Sequence, residues 1–398
     1  MANLDSPVLK QRIQSIDILR GAIMLIMAID HSRDFFYFSG PGTNPTDMTT
    51  TTAILFFTRW ITHFCAPVFV FLSGTSAYIA GTRRTKNELT GLLVKRGLWL
   101  IVVEVVLITL AITANPLYNV LILQVLWAIG LSMVILGPLS RLPLKYVAII
   151  GAIIFFGHDI VDGLKLPQTG AWFDIDSLFL TAFGTVIPLN KTHVIFDLYA
   201  VLPWTGMMLL GYAFGSMYRT NYDGHKRRLV LRYAGIATLT LFFVLRLVNG
   251  YGDPSHWAIQ KDGLHTFLSF LNVSKYPPSL LYSLMTLGAA LLVLSFTEHI
   301  SNRFTKFLTI YGNVPFFYYV PHFFLLRIIS IIVFFAAGFT TSQIVTPGSP
   351  LLFHPPGFGF SLWVVYGVWL LVIAILYYPC RWYSNYKRTH KQWWLSYL

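Results

Sequence analysis

Apolar runs of membrane-spanning length alternate with short polar segments along the whole chain. Ten runs reach or approach the roughly 20 residues a helix needs to cross the hydrocarbon core. They cover residues 15–38, 53–81, 92–114, 117–138, 146–161, 193–217, 229–248, 277–296, 307–338 and 360–383. The fifth is short and the ninth long. The pattern predicts an all-α integral membrane protein, a polytopic bundle of about ten transmembrane helices. Residues 1–398 then form a single transmembrane domain, because ten helices and their loops leave no stretch for a second core. No internal repeat and no low-complexity tract is found.

Basic residues set the expected orientation. Arg83, Arg84, Lys86, Lys95 and Arg96 lie between the second and third runs, Arg141 and Lys145 between the fourth and fifth, and Arg219, Lys226, Arg227, Arg228 and Arg232 between the sixth and seventh. Arg303 and Lys306 lie between the eighth and ninth, and Lys10, Arg12, Arg381, Lys387, Arg388 and Lys391 flank the ends. That side carries twenty of the 29 lysines and arginines. Excess basic charge marks the cytoplasmic side, so both termini are expected in the cytoplasm. The opposite loops, 162–192, 249–276 and 339–359, are the long ones and are rich in Gly, Pro, Asn, His and aromatics. Such loops suit a folded rim over a cavity. Two sequons at Asn190 and Asn272 fall in them, and chance explains these as well as glycosylation does.

Composition agrees with a membrane chain: 55% of residues are hydrophobic and 11% charged, against about 25% charged in soluble domains. The formal charge of +13 is absorbed by the topology, and nucleic-acid binding would need a basic face on a soluble module. Cys65 and Cys380 fall towards opposite faces, so neither a disulfide framework nor a metal-type spacing is read. No small-residue cleavage site follows the first run, which reads as a retained helix. Nothing bears on oligomeric state, and a homo-oligomer stays open.

Candidate chemistry concentrates in the first run. "SIDILRGAIMLIMAIDHSRDFF" opens with Asp17 and Arg20 and closes with Asp30, His31, Arg33 and Asp34. Charges at bilayer depth are costly and mark pathways or chemistry. Arg20 and His31 share a helix face about 16 Å apart along the axis, close to the reach of an extended pantetheine arm. A carrier thioester held by its phosphates near Arg20 would present its acyl carbonyl at His31. His31 is then the candidate catalytic base, with Asp30 or Asp34 orienting its ring. The competing reading makes Arg20 and Asp17 interfacial anchors paired at i, i+3.

"SIDILRG", the Arg20-x10-His31 spacing, "APVFVFLSGTS" (66–76), "LQVLWAIGLSM" (123–133) and "YGNVPFFYYVPH" (311–322) together resemble the transmembrane acyltransferases. The nearest likeness is the bacterial branch of the heparan-alpha-glucosaminide N-acetyltransferase-like family, which implies the bacterial inner membrane. The resemblance implies a multi-helix core that takes acetyl from cytoplasmic acetyl-CoA and passes it to a sugar amine or hydroxyl outside. It implies His31 as catalytic histidine and Arg20 as a carrier contact. The animal enzyme departs from this pattern, with Asn in place of His31 and a histidine in place of Gly42.

Further candidates carry two readings each. His63 either joins His31 in a cavity or is an interfacial histidine. His322, after Tyr318 and Tyr319, is a site residue or a buried helix-to-helix bond. Glu104, midway through the third run, pairs with an Arg or His of another helix or lines a polar tunnel. Gln124, Trp127 and Asn115 are carrier or acceptor contacts, or packing residues. Lys275 and Tyr276, before a double proline, face an acceptor sugar or merely precede a helix start, and Trp204 and Asp197 are weaker acceptor contacts. Arg83, Arg84 and Arg96 bind nucleotide phosphates or serve topology alone. No Walker A, dinucleotide GxGxxG, His-Glu-x-x-His or nucleophile elbow is present. The run Ser73-Gly74-Thr75-Ser76 suits close packing better than nucleophilic attack. Besides direct transfer, a transient acetyl-histidine remains open, and a transporter or flippase and a non-catalytic scaffold are the rival functions.

Overall fold

The computed structural model describes residues 13–38, 44–163, 170–181, 185–219, 222–346, 349 and 351–396. Lys10, Arg12 and Gly42 lie outside them. The first run is one helix, α1 (Gln14–Phe36). The second breaks at His63 into α2 (Ala53–Thr62) and α3 (Cys65–Gly81). The third starts on a Thr85/Glu88 capping box, the signature Thr-x-x-Glu, as α4 (Lys86–Val103). It passes through a π-helical turn at Glu104–Ile108 and ends in α5 (Thr109–Thr113).

The fourth run is not a single helix. It divides into strand β1 (Val120–Leu123) and α6 (Val125–Leu139). After α7 (Leu144–Gly157) and the short α8 (Ala171–Asp176) come β2 (Thr185–Pro188) and β3 (Val194–Asp197), and the sixth run keeps as α-helix α9 (Val201–Phe214), followed by a 3₁₀ turn at Gly215–Tyr218. The chain then forms α10 (Gly224–Val248), α11 (Gly263–Leu271) and α12 (Leu280–Thr297). The ninth run breaks after Gly312 into α13 (Arg303–Gly312) and α14 (Pro315–Ala336), before the closing α15 (Leu362–Thr389).

The protein is therefore mostly helical, and the three-stranded sheet corrects the all-α expectation. Among the described residues, six helical stretches are long and apolar enough to cross a membrane by length and composition: α2 with α3, α4 through α5, α10, α12, α14 and α15. These apolar helices mark an integral membrane protein.

The sheet has the order β1-β3-β2, with β1 and β3 parallel and β2 and β3 antiparallel. Parallel pairing brings the ends of β1 and β3 to one place, Leu123 opposite Asp197. Leu198 N–H still donates to the Leu123 carbonyl, at 3.1 Å. The chain leaves both strands for helices there, so Gln124 before α6 and Tyr199 before α9 reach the same spot.

Small residues let the helices approach. α4 meets α6 at Gly97 and Gly130, and α1 meets α13 at Gly21 and Gly312, the close backbone contact typical of membrane helices. Opposite the α1 N-terminus, Arg246 ends α10 by donating to the carbonyls of Ser255, Ser269, Phe270 and Asn272 at 2.7–2.9 Å. It thereby closes the C-terminal end of α11, whose last carbonyls have no helical partner.

Candidate active site

His31 and His322 meet between α1 and α14. Val314 and Pro315 restart the helix after Asn313, with Pro at the first turn, where its missing N–H costs nothing. His31 Nδ1 then lies 2.7 Å from His322 Nε2. The other ring nitrogen of His322, Nδ1, bonds the Tyr319 carbonyl oxygen. A carbonyl only accepts, so His322 Nδ1 carries the proton and its Nε2 holds a lone pair. His31 Nδ1–H must donate to that lone pair. His31 Nε2 is left with the free lone pair of a base. Phe323 stacks on the His31 ring at 4.2 Å between centroids and fixes its plane.

The carboxylates expected to orient His31 lie elsewhere. Arg33 Nη1 pairs with Asp30 Oδ1 at 2.9 Å and its Nη2 with Asp34 Oδ1 at 2.6 Å, while Arg59 from α2 pairs with Asp30 Oδ2. Among the described residues neither Asp30 nor Asp34 hydrogen-bonds the His31 ring, and His322 holds the position assigned to them. The cost of burying Asp30 is met by two arginines. Arg59 had no place in the sequence reading, although a basic residue inside an apolar run is the same signal that marked Arg20.

Two cavities lie nearby, one of them lined by His31 itself. One, of about 30 Å³, is lined by His31, Asp30, Thr62, Cys65, Gln124, Tyr199 and Lys275. The other, of about 130 Å³, holds Arg20 and Arg96 among apolar residues including Met24, Trp99 and Phe316. Phe69 and Val125 line both, so the two spaces share a wall. Arg20 is fixed at the far end: it pairs with Asp17 Oδ1 at 3.2 Å and donates to Ser76 Oγ at 3.0 Å and the Gly312 carbonyl at 3.4 Å. One guanidinium thus joins α1, α3 and the end of α13.

The remaining candidates divide. Arg96 shares the larger cavity with Arg20, whereas Arg83 and Arg84 are exposed and Arg84 donates to the Ala80 carbonyl at 2.7 Å. Gln124 and Lys275 line the His31 cavity, and Trp127 lines neither. Tyr276 packs edge-on against Tyr199, which lines the cavity and escaped the sequence reading. His63 is buried but is not part of the His31 cavity lining; its carbonyl accepts from Tyr282 Oη at 2.7 Å.

Glu104 corrects a different expectation. Its Oε2 accepts from the Leu126 backbone N–H at 2.8 Å, so the carboxylate caps the first turn of α6 instead of pairing with an Arg or His. An acceptor oxygen there satisfies one of the otherwise unpaired N–H groups at the start of that helix. A buried cation, Arg327 on α14, does the reverse job. It donates to the Ala111, Ile112 and Leu352 carbonyls and lies over the Phe35 ring at 4.6 Å, closing the end of α5. In the loop beside it, burial and the Arg327 charge push His354 down to about 4. That histidine stays neutral near the guanidinium.

The family described as heparan-alpha-glucosaminide N-acetyltransferase, catalytic, matches residues 12–245 of this chain. Among curated proteins, none matches.

Proposed function

Since the chain belongs to the heparan-alpha-glucosaminide N-acetyltransferase catalytic family, a family of membrane acyltransferases, we propose that it transfers acetyl from cytoplasmic acetyl-CoA to a sugar amine or hydroxyl on the external side. In this reading about ten helices cross a bacterial inner membrane with both termini inside.

The observation that carries the reading is the shared wall of Phe69 and Val125 between a cavity with Arg20 and Arg96 and a cavity with His31. Two guanidiniums at one end suit phosphates, apolar walls suit a pantetheine arm, and a free imidazole lone pair waits at the other end. His31 Nε2 takes the proton of the acceptor as its nitrogen or oxygen attacks the thioester carbonyl carbon. The new C–N or C–O bond forms, the C–S bond breaks, and His31 returns the proton to the departing sulfur. His322 holds the base in the required tautomer and shares the positive charge that develops. Lys275 and Tyr276 bound the acceptor side.

The test is binding of acetyl-CoA to the purified protein in detergent, followed by transfer of labelled acetyl to a panel of amino sugars and glycans, for wild type and His31→Ala. Donor binding kept and transfer lost in the variant is the expected result. A wild type that binds no acetyl-CoA would overturn the donor assignment and bring the transporter reading forward.

A further inference from the structure

We infer that the Gln124 side-chain amide is the oxyanion donor of the site, hydrogen-bonding the thioester carbonyl oxygen from the side opposite the His31 base. The inference rests on the acyltransfer reading above and adds a catalytic residue to it.

An acyl transfer at a thioester needs two things besides a base. The C=O electron pair must move onto oxygen as the acceptor attacks, and a donor must be fixed where that negative oxygen forms. The polar groups of the His31 cavity can be sorted by this requirement. Asp30 carries the wrong charge and is held by Arg33 and Arg59. Cys65 donates its thiol to the Ile23 carbonyl, at 3.7 Å. Thr62 donates to the Arg59 carbonyl at 2.7 Å. The Tyr199 hydroxyl is engaged by the Tyr276 side chain, so Gln124 and Lys275 remain as donors.

Position separates these two. Gln124 lines the His31 cavity and precedes Val125, one of the two residues that line both cavities, so it stands beside the wall past which a thioester from the Arg20 side would enter. Lys275 lines the His31 cavity alone, from the segment between α11 and α12. The Gln124 amide does not cap the helix it precedes and has no other partner among the described residues. Its backbone is held on both sides: Leu123 belongs to β1, paired to β3, and Leu126 N–H is bound by Glu104 at 2.8 Å. A donor on so constrained a joint needs no reorganisation when charge appears. Glu104 is then a positioning residue, acting through the first turn of α6.

Two readouts test the assignment. In steady-state transfer, Gln124→Ala and Gln124→Met lower kcat by about 10²–10³-fold, with donor affinity and the unfolding midpoint kept. In the His31→Ala background, where bound acetyl-CoA is not consumed, isotope-edited infrared of the 13C=O thioester gives a lowered stretch that rises when Gln124→Met is added. A normal kcat in the Gln124 variants, a loss confined to donor or acceptor KM, or a carbonyl stretch indifferent to Gln124 overturns the inference while wild-type transfer leaves the acyltransfer reading standing. Absence of wild-type transfer with every acceptor, together with no donor binding, overturns both.

Discussion

Gly21 and Gly312 meet where α1 crosses α13, and each occupies the space a side chain of the other would need. A Cβ on Gly21 would lie 1.9 Å from the Leu308 carbonyl oxygen, and one on Gly312 would lie 1.9 Å from the Asp17 carbonyl oxygen. Each glycine is followed ten residues later by a histidine, His31 and His322. One unbroken helical path of about 15 Å along α1 and a second that turns at Asn313 and Val314 into α14 thus leave one crossing and bring their imidazoles to a 2.7 Å contact. Arg20 sits at the crossing and bonds the Gly312 carbonyl. The Arg-x10-His spacing becomes the height of that frame.

The crossing is the first place to test it. Gly21→Ala forces two backbones apart and should cost about 1–3 kcal/mol, read as a lower unfolding midpoint in detergent. Transfer activity should fall with it, because the separation also moves His31 from His322. An Ala variant with unchanged midpoint and activity would show that the helices part without consequence.

His322 should matter to rate and not to donor binding. His322→Ala removes the acceptor of the His31 Nδ1 proton and frees the wrong tautomer, with an expected fall in kcat of about 10²-fold at unchanged acetyl-CoA affinity. Equal kcat in the variant would refute the two-histidine arrangement.

The cations near the larger cavity should separate by position. Arg20→Lys keeps the charge but cannot reach Asp17, Ser76 and Gly312 together, and donor affinity should weaken about tenfold, the worth of one charged hydrogen bond. Arg83→Ala and Arg84→Ala, on the exposed turn, should stay within about twofold. Titration of acetyl-CoA against the three variants decides this, and a larger loss at Arg83 or Arg84 would relocate the phosphates.

Cys65 lines the His31 cavity and offers a chemical probe. Its thiol is buried and held by the Ile23 carbonyl, so a small thiol-specific reagent should label it slowly, block transfer as it does so in the wild type and not in Cys65→Ala, and label more slowly still with donor bound. Blockage that persists in Cys65→Ala would assign the effect to Cys380.

Glu104→Ala should cost about 1–2 kcal/mol, the usual loss on removing a helix cap, whereas Glu104→Gln keeps an acceptor oxygen and should cost less. Thermal unfolding of the two variants separates a cap from the ion pair expected of a lone carboxylate.

How much of this was legible depends on what each residue's partner is. Breaks with local signals could be read: Gly312-Asn313 followed by Pro315 carries the turn residues that end one helix and start another, although the apolar run hid them. The division of 117–138 into β1 and α6 could not be read, because Val120–Leu123 is apolar throughout and a buried strand without alternation looks like the start of a helix. His31 and Arg20 stood out because charge inside a span is local information. Their partners were not, since the ion pair of Asp30 with Arg59 and the bond of His31 to His322 join segments that nothing in the spacing relates. The spacing pairs Asp30 with His31, its neighbour in the chain; the fold pairs it with Arg33 one turn on and with Arg59 across helices.

Arg327 has a consequence for how the chain is built. The carbonyls of Ala111 and Ile112 end a helix among apolar surroundings, where an unsatisfied oxygen costs several kcal/mol, and their donor is encoded more than two hundred residues later. During synthesis that end must wait, exposed or shielded by other means, until α14 emerges. A chain cut after residue 245 would keep the whole stretch matched by the family yet lack both this donor and His322. Expressed alone it should be cleared by membrane proteases, and supplying residues 246–398 as a separate chain should rescue it.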